Sequence, residues 1–165
     1  MSETSGGNGN SGRAAHYEKD FYSWSQRQAE VLREAAAAQL NAPDGIDWEN
    51  LAQEIEALGR SQLRELYSRY KVLVLFLLRW SRQPALRGAG WRLAIRGQRD
   101  EIRELRAKSP SLANKRAGEL RRAYRKARED AEDETGLPLA TFPEECPFTA
   151  DQAEDEAFWP EVEAA

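Results

Sequence analysis

The sequence predicts an all-α protein, a bundle of four principal helices with a long second helix and a C-terminal segment packed across it. Three observations carry this. Apolar residues recur at spacings of three and four along most of the chain. β-branched residues are scarce, while Ala, Leu, Glu and Arg are abundant. Pro, Gly and Asn cluster at a few points that separate the periodic runs. With 165 residues, the chain is long enough to bury one core without disulfides or metals, and we read residues 16–165 as a single helical domain.

Residues 1–15 are rich in Gly, Ser and Asn and lack the apolar groups that offset ordering entropy, which predicts a disordered tail. The first helix is expected over Glu18–Gln39, with Phe21, Trp24, Gln28, Val31 and Ala35 as its inward stripe. Asn41-Ala-Pro-Asp-Gly45 ends it, and Asp47 is a suitable N-cap for the second helix. That helix carries Trp48, Leu51, Ile55, Leu58, Leu63, Leu66, Tyr70, Leu73, Leu77 and Trp80. One five-residue step, from Leu58 to Leu63 beside Gly59, predicts a register adjustment and a bend there. Pro84 closes the helix, because the residue before proline disfavours helical dihedrals.

The third helix, Ala89–Ala107, has a seam of Trp91, Ile95, Gln98, Ile102 and Leu105. Beside it runs a stripe of Arg92, Arg96, Arg99, Arg103 and Arg106, like charges that repel unless something answers them. Ser109-Pro110 reads as the cap and first position of a fourth helix reaching Thr135, where Gly136 and Pro138 stop it. Beyond it, Phe142, Phe148, Phe158 and Trp159 are too many large apolar groups for a solvated tail. They predict docking, with a short helix near Thr149–Ala157.

The formal net charge of −4 hides a segregation: −6 over residues 1–59, +15 over 60–128 and −13 over 129–165. The preferred reading is that the acidic ends fold back onto the basic middle; the other is a nucleic-acid or phosphate partner. The longest apolar run, Val72–Leu78, is far short of the roughly 20 residues that span a bilayer. The chain opens without the pattern of a signal peptide, and its one cysteine, Cys146, allows no internal disulfide. These features predict a cytoplasmic protein without membrane contact.

Several segments together are similar to a known family: YEKDFYSW (17–24), IDWENLAQEIEALGRS (46–61), LLRW and QP (77–84), GWRLAIRGQR (90–99), SPSL (109–112), ETGLP (134–138) and FPEECPF (142–148). By these the chain resembles family 29 of the bacterial domains of unknown function, over about residues 17–160. The resemblance implies a bacterial helical bundle and no established activity. It also implies a histidine where this chain has Phe76, so chemistry needing that histidine is not expected here.

One histidine, His16, and one thiol supply no zinc set and no Ser-His or Cys-His nucleophile, so no metal ligand set or cofactor is assigned. Glu49, Glu54 and Glu56 are the candidate carboxylates; Glu49 and Glu56 share a helix face and can work as an acid–base pair or answer Arg92, Arg96 or Arg99. The candidate binding residues are Trp80, Arg82, Trp91, Arg92, Arg96 and Arg99 around the Pro84 corner. Guanidinium and indole groups are what single-stranded nucleic-acid sites use, although Trp80 and Trp91 also lie on core seams. The favoured reading is a non-enzymatic binding or interaction protein with this Arg/Trp corner as its candidate surface and a protein partner or a second protomer as its occupant. The alternative is a phosphate- or nucleic-acid-directed enzyme using the glutamates with Mg²⁺.

Overall fold

The computed structural model describes residues 16–38 and 45–161, and all regular structure among them is helical. The expected tail and the Asn41–Asp44 part of the first turn lie outside these residues. A helical turn at 16–19 precedes α1 (Phe21–Ala38), followed by α2 (Trp48–Arg82), α3 (Ala89–Lys108), α4 (Arg116–Thr135) and the short α5 (Ala150–Glu154). Turns of 3-10 helix lie at Pro84–Leu86, Pro110–Lys115 and Leu139–Thr141. Among the described residues no helix is long and apolar enough to cross a membrane. The chain forms two compact units, Met1–Gln62 with Lys108–Leu112, and Leu63–Ala107 with Ala113–Ala165, so α2 contributes to both.

In the first unit, α1 and the start of α2 run antiparallel at close range. Ser25, Ala29 and Ala52 are buried, and a Cβ on Gly59 would lie 1.9 Å from Ser25 Oγ. Gly59 is therefore glycine because α1 crosses there, and α2 continues through it as helix. The expected inward stripe of α1 differs from the observed one: Ser25 and Ala29 are buried, while Val31 is exposed and Phe21, Trp24, Gln28 and Ala35 are only partly covered. Close approach selects small residues, and so it selects a different flank of the helix. Asp47 caps α2 as expected, accepting from Asn50 N–H at 3.1 Å.

In the second unit the core is built from Leu66, Tyr70, Leu73, Val74, Leu77 and Leu78 of α2, Ile95, Ile102 and Leu105 of α3, and Leu120, Ala123, Tyr124, Ala127 and Ala131 of α4. Each buried Leu or Ile contributes about 1.5–3 kcal/mol relative to exposure. The chain after Ser109 differs from expectation: Pro110–Lys115 is 3-10 and α4 begins at Arg116. Gly136 ends α4 in the left-handed conformation (φ 68°), its N–H reaching Glu132 O at 2.9 Å. The C-terminal segment docks on this unit as predicted. Phe142 and Phe148 are buried, and Arg128 donates to the carbonyls of Phe142 (3.0 Å) and Leu139 (3.2 Å). A capping box between Thr149 and Gln152 starts α5.

Candidate functional site

Three clusters of chemistry-bearing side chains can be compared: the Arg/Trp corner, the α2 glutamates and the open face of the α1–α2 pair.

At the corner, the 3-10 turn Pro84–Leu86 returns the chain from α2 to α3. Arg87 donates through Nε to Trp80 O at 2.7 Å and lays its guanidinium 4.9 Å from the Trp80 ring centre. Arg92 approaches the same ring at 5.8 Å, and Trp159 tilts against it at 4.6 Å between centroids. Trp80 is only 7% exposed, which removes it as a stacking face. Half-buried Trp91 is covered by Arg79 at 4.6 Å, and Arg79 also pairs with Glu134 at 2.8 Å. Each such cation–π contact contributes about 0.5–2 kcal/mol, so these rings already have partners.

The arginine stripe splits by position. Arg99 is 1% exposed and donates Nε to Ala153 O and Nη2 to Phe158 O, both at 2.8 Å. Its guanidinium lies 5.4 Å from the Trp159 ring, and burial pushes its pKa down from the ordinary arginine value. Arg99 is thus a clamp on the C-terminal segment and not a surface group. Arg103 bonds Glu156, and Arg106 bonds Glu154. Arg82 is half-buried and engaged. Arg92 and Arg96 are exposed, and among the described residues neither has an ion pair. The acidic end therefore answers the later half of the basic stripe and leaves its first two turns open.

Sequence reasoning missed the centre of this lock. Glu154, nearly buried, accepts from Tyr70 Oη, from Arg106 and from Arg116 Nε (2.8 Å). Burial foremost, then the Glu154 contact, pushes the Tyr70 phenol far above its ordinary pKa, so it stays a hydrogen-bond donor. The Thr149 cap signal could have placed Glu154 on a short helix, but its three partners come from three distant elements.

The α2 glutamates answer Arg33 of α1, not the α3 arginines. Arg33 bonds Glu56 at 2.8 Å and Glu49 at 3.4 Å, and Arg60 adds a 3.4 Å contact to Glu56. The Arg33 hydrogen bond holds the Glu56 carboxyl below the usual range. Glu49 and Glu56 do converge, but on a guanidinium at the surface, which occupies the space an acid–base pair would need. Glu54 is exposed and points elsewhere. Among the described residues no three of His, Cys, Asp and Glu gather closely enough to hold a metal ion.

The third cluster follows from the close α1–α2 packing. Of the seven large apolar side chains left exposed among the described residues, five belong to the first unit: Tyr17, Val31, Ile46, Leu51 and Leu58. Trp24 and Val31 stand one heptad apart on α1, as do Leu51 and Leu58 on α2, so each pair forms a line along its helix, and Tyr17, in the turn before α1, packs edge-on against Trp24 with ring centres 4.8 Å apart. Ser25 meets Gly59 and Arg33 meets Glu56. With this antiparallel register, both lines fall on one face of the hairpin, opposite the Arg33–Glu56 pair. Its sequence signal is the five-residue step at Gly59, where the apolar line and the buried line Ala52–Gly59 part company.

A family model described as domain of unknown function DUF29 matches residues 16–159. The chain is also similar to the crystal structure of an α-helical protein of unknown function from Rhodospirillum rubrum. The two share 30% identity and a TM-score of 0.66, with 86% of this chain and 90% of that chain covered. No curated protein matches the chain.

Proposed function

We propose, from the premise that this chain belongs to the DUF29 family, that it is a non-enzymatic interaction protein whose contact surface is the open face of the α1–α2 hairpin. The observation that carries this is the exposure of Leu58 (54%) and Leu51 (42%) on α2, on the same face as the Trp24–Val31 line of α1, on a hairpin whose other face is satisfied by ion pairs. A contiguous apolar patch is costly in water and marks a binding surface more often than scattered apolar residues do. The hydrogen-bonded Glu154 and Arg99 clusters, by contrast, have their partners within the chain. The test is site-specific photo-crosslinking in cells from position 58, with position 101 on α3 as control. A discrete adduct from 58 that disappears in Leu51→Ser supports the reading; no adduct from 58 sinks it.

The open turns of the basic stripe favour a second reading. Arg92 and Arg96 sit one turn apart, exposed and without ion pairs among the described residues, beside half-buried Trp91. They suit a phosphate backbone as point contacts. Single-stranded RNA and DNA titrated across a salt series, with Arg92→Ala/Arg96→Ala alongside, decides it. Steep salt dependence that flattens in the variant supports this reading, and no binding at low salt ends it.

A further inference from the structure

The apolar hairpin face has borders, and their charge says what would cover it. On α2, Asp47 and Glu54 stand one heptad apart, just outside the Leu51–Leu58 line. Asp47 is spent on Asn50, but exposed Glu54 has no hydrogen bond or ion pair among the described residues. On α1, Arg27 borders the Trp24–Val31 line and is already held by Glu30 (3.0 Å) and Glu34 (3.6 Å). Between residues 16 and 62 there are nine acidic and four basic side chains, and three of the four basic ones, Arg27, Arg33 and Arg60, are paired with acids within the hairpin. The charge left without a partner on the border of the face, among the described residues, is the negative one of Glu54.

Resting on the interaction reading above, we infer that the partner of this face is an amphipathic helix with an apolar stripe and a basic flank. Two antiparallel apolar lines make a shallow trough, and packed helices sit about 8–10 Å apart, which suits one further helix lying along it. Heptad-spaced Trp24, Val31, Leu51 and Leu58 would meet anchors spaced three and four apart on that helix. Its basic flank would lie over the Glu54 border. A second copy of this chain is a poorer occupant, because it would bring up a segment of the same net negative charge, nine acidic against four basic side chains over residues 16–62. An anionic lipid surface is disfavoured by the same sign of charge.

The test uses the full chain and three synthetic helices matched in length to α1: amphipathic Leu/Lys, amphipathic Leu/Glu, and a Leu/Lys sequence of equal composition scrambled to abolish the stripe. Binding is read by fluorescence anisotropy, with light scattering on the chain alone. The expected result is saturable binding of the amphipathic Leu/Lys helix only. Leu58→Ser and Glu54→Lys should each weaken it about tenfold or more, while helicity is unchanged because both sites are exposed. Leu51→Ser is the second variant should Leu58→Ser lose helicity. Equal binding of the scrambled helix would reduce the effect to net charge and overturn the inference. Equal binding of the Leu/Glu helix would overturn the basic partner while leaving the interaction face standing. Self-association abolished by Leu58→Ser would name a second copy as occupant and also overturn it. A monomer that binds none of the three would sink both this inference and the interaction reading.

Discussion

The Asp20 carboxylate accepts hydrogen bonds from the backbone N–H (2.7 Å) and hydroxyl (2.8 Å) of Ser111, 91 residues further along the chain. The same carboxylate caps α1 through Ser23 N–H at 2.9 Å, and nearby Ser109 Oγ accepts from Tyr22 N–H at 3.1 Å. One acid thus satisfies orphan donors at the start of two helical segments, which gives the YEKDFYSW and SPSL segments a common structural reason. Asp20→Ala should cost about 1–3 kcal/mol in urea unfolding, from a lost cap plus charge-assisted bonds. Asp20→Asn, which keeps an acceptor, should recover part of that. A change within about 0.3 kcal/mol for the alanine variant would show the double cap to be unimportant.

Gly59→Ala sets two effects against each other. Alanine is better than glycine in a helix by about 1 kcal/mol. Its Cβ, however, would meet Ser25 Oγ at 1.9 Å and Ser25 Cβ at 3.1 Å, and overpacking of this kind costs about 1–3 kcal/mol. Net destabilisation is expected, partly relieved in Ser25→Gly/Gly59→Ala. A more stable single variant would mean that the helices separate easily.

Arg99→Met keeps much of the volume but removes both donors to Ala153 O and Phe158 O. Hydrogen exchange over residues 150–160 should quicken about tenfold or more, with α1 unaffected. Arg99→Lys should not restore protection, because one ammonium lacks the guanidinium fork that reaches two carbonyls at once. Wild-type exchange in the lysine variant would show that charge alone holds the segment.

Glu56 gives a pH dependence with a definite sign. Its folded pKa is lowered, first by the Arg33 hydrogen bond and then by the charges of Arg33 and Arg60. The stabilisation is therefore fully present above the ordinary glutamate range and is lost as pH falls through the depressed folded value. The stability difference between wild type and Glu56→Gln should stay level from about pH 7 to 5 and shrink below about pH 4. A difference that does not change with pH would show the Arg33 pair to be without effect.

Calorimetry addresses the domain organisation. We propose that residues 16–165 unfold as one domain, because α2 runs through both units and Lys108–Leu112 of the first interrupts the second in sequence. Neither unit is then a continuous piece of chain that could be excised. One transition with matching calorimetric and van't Hoff enthalpies is expected, and two resolved transitions would refute it.

The sequence by itself determined what local chemistry decides. Helices that start at Asp47, stop before Pro84 and stop at Gly136 were legible because each signal acts within a few residues of its effect. So was the docking of the acidic, Phe-rich end, since opposite charges and buried aromatics can be counted without coordinates. Only the tertiary structure decided which flank of each helix meets which neighbour. Periodicity names the apolar line of α1 as Phe21–Trp24–Val31, but the face that closes is Ser25–Ala29, chosen by Gly59 on the other helix. The same holds for Arg99, buried under two carbonyls while Arg96 one turn earlier is exposed, and for Glu56, answered by Arg33. Close approach and charge pairing are properties of pairs of residues far apart in sequence, and a single helix's pattern contains only one member of each pair.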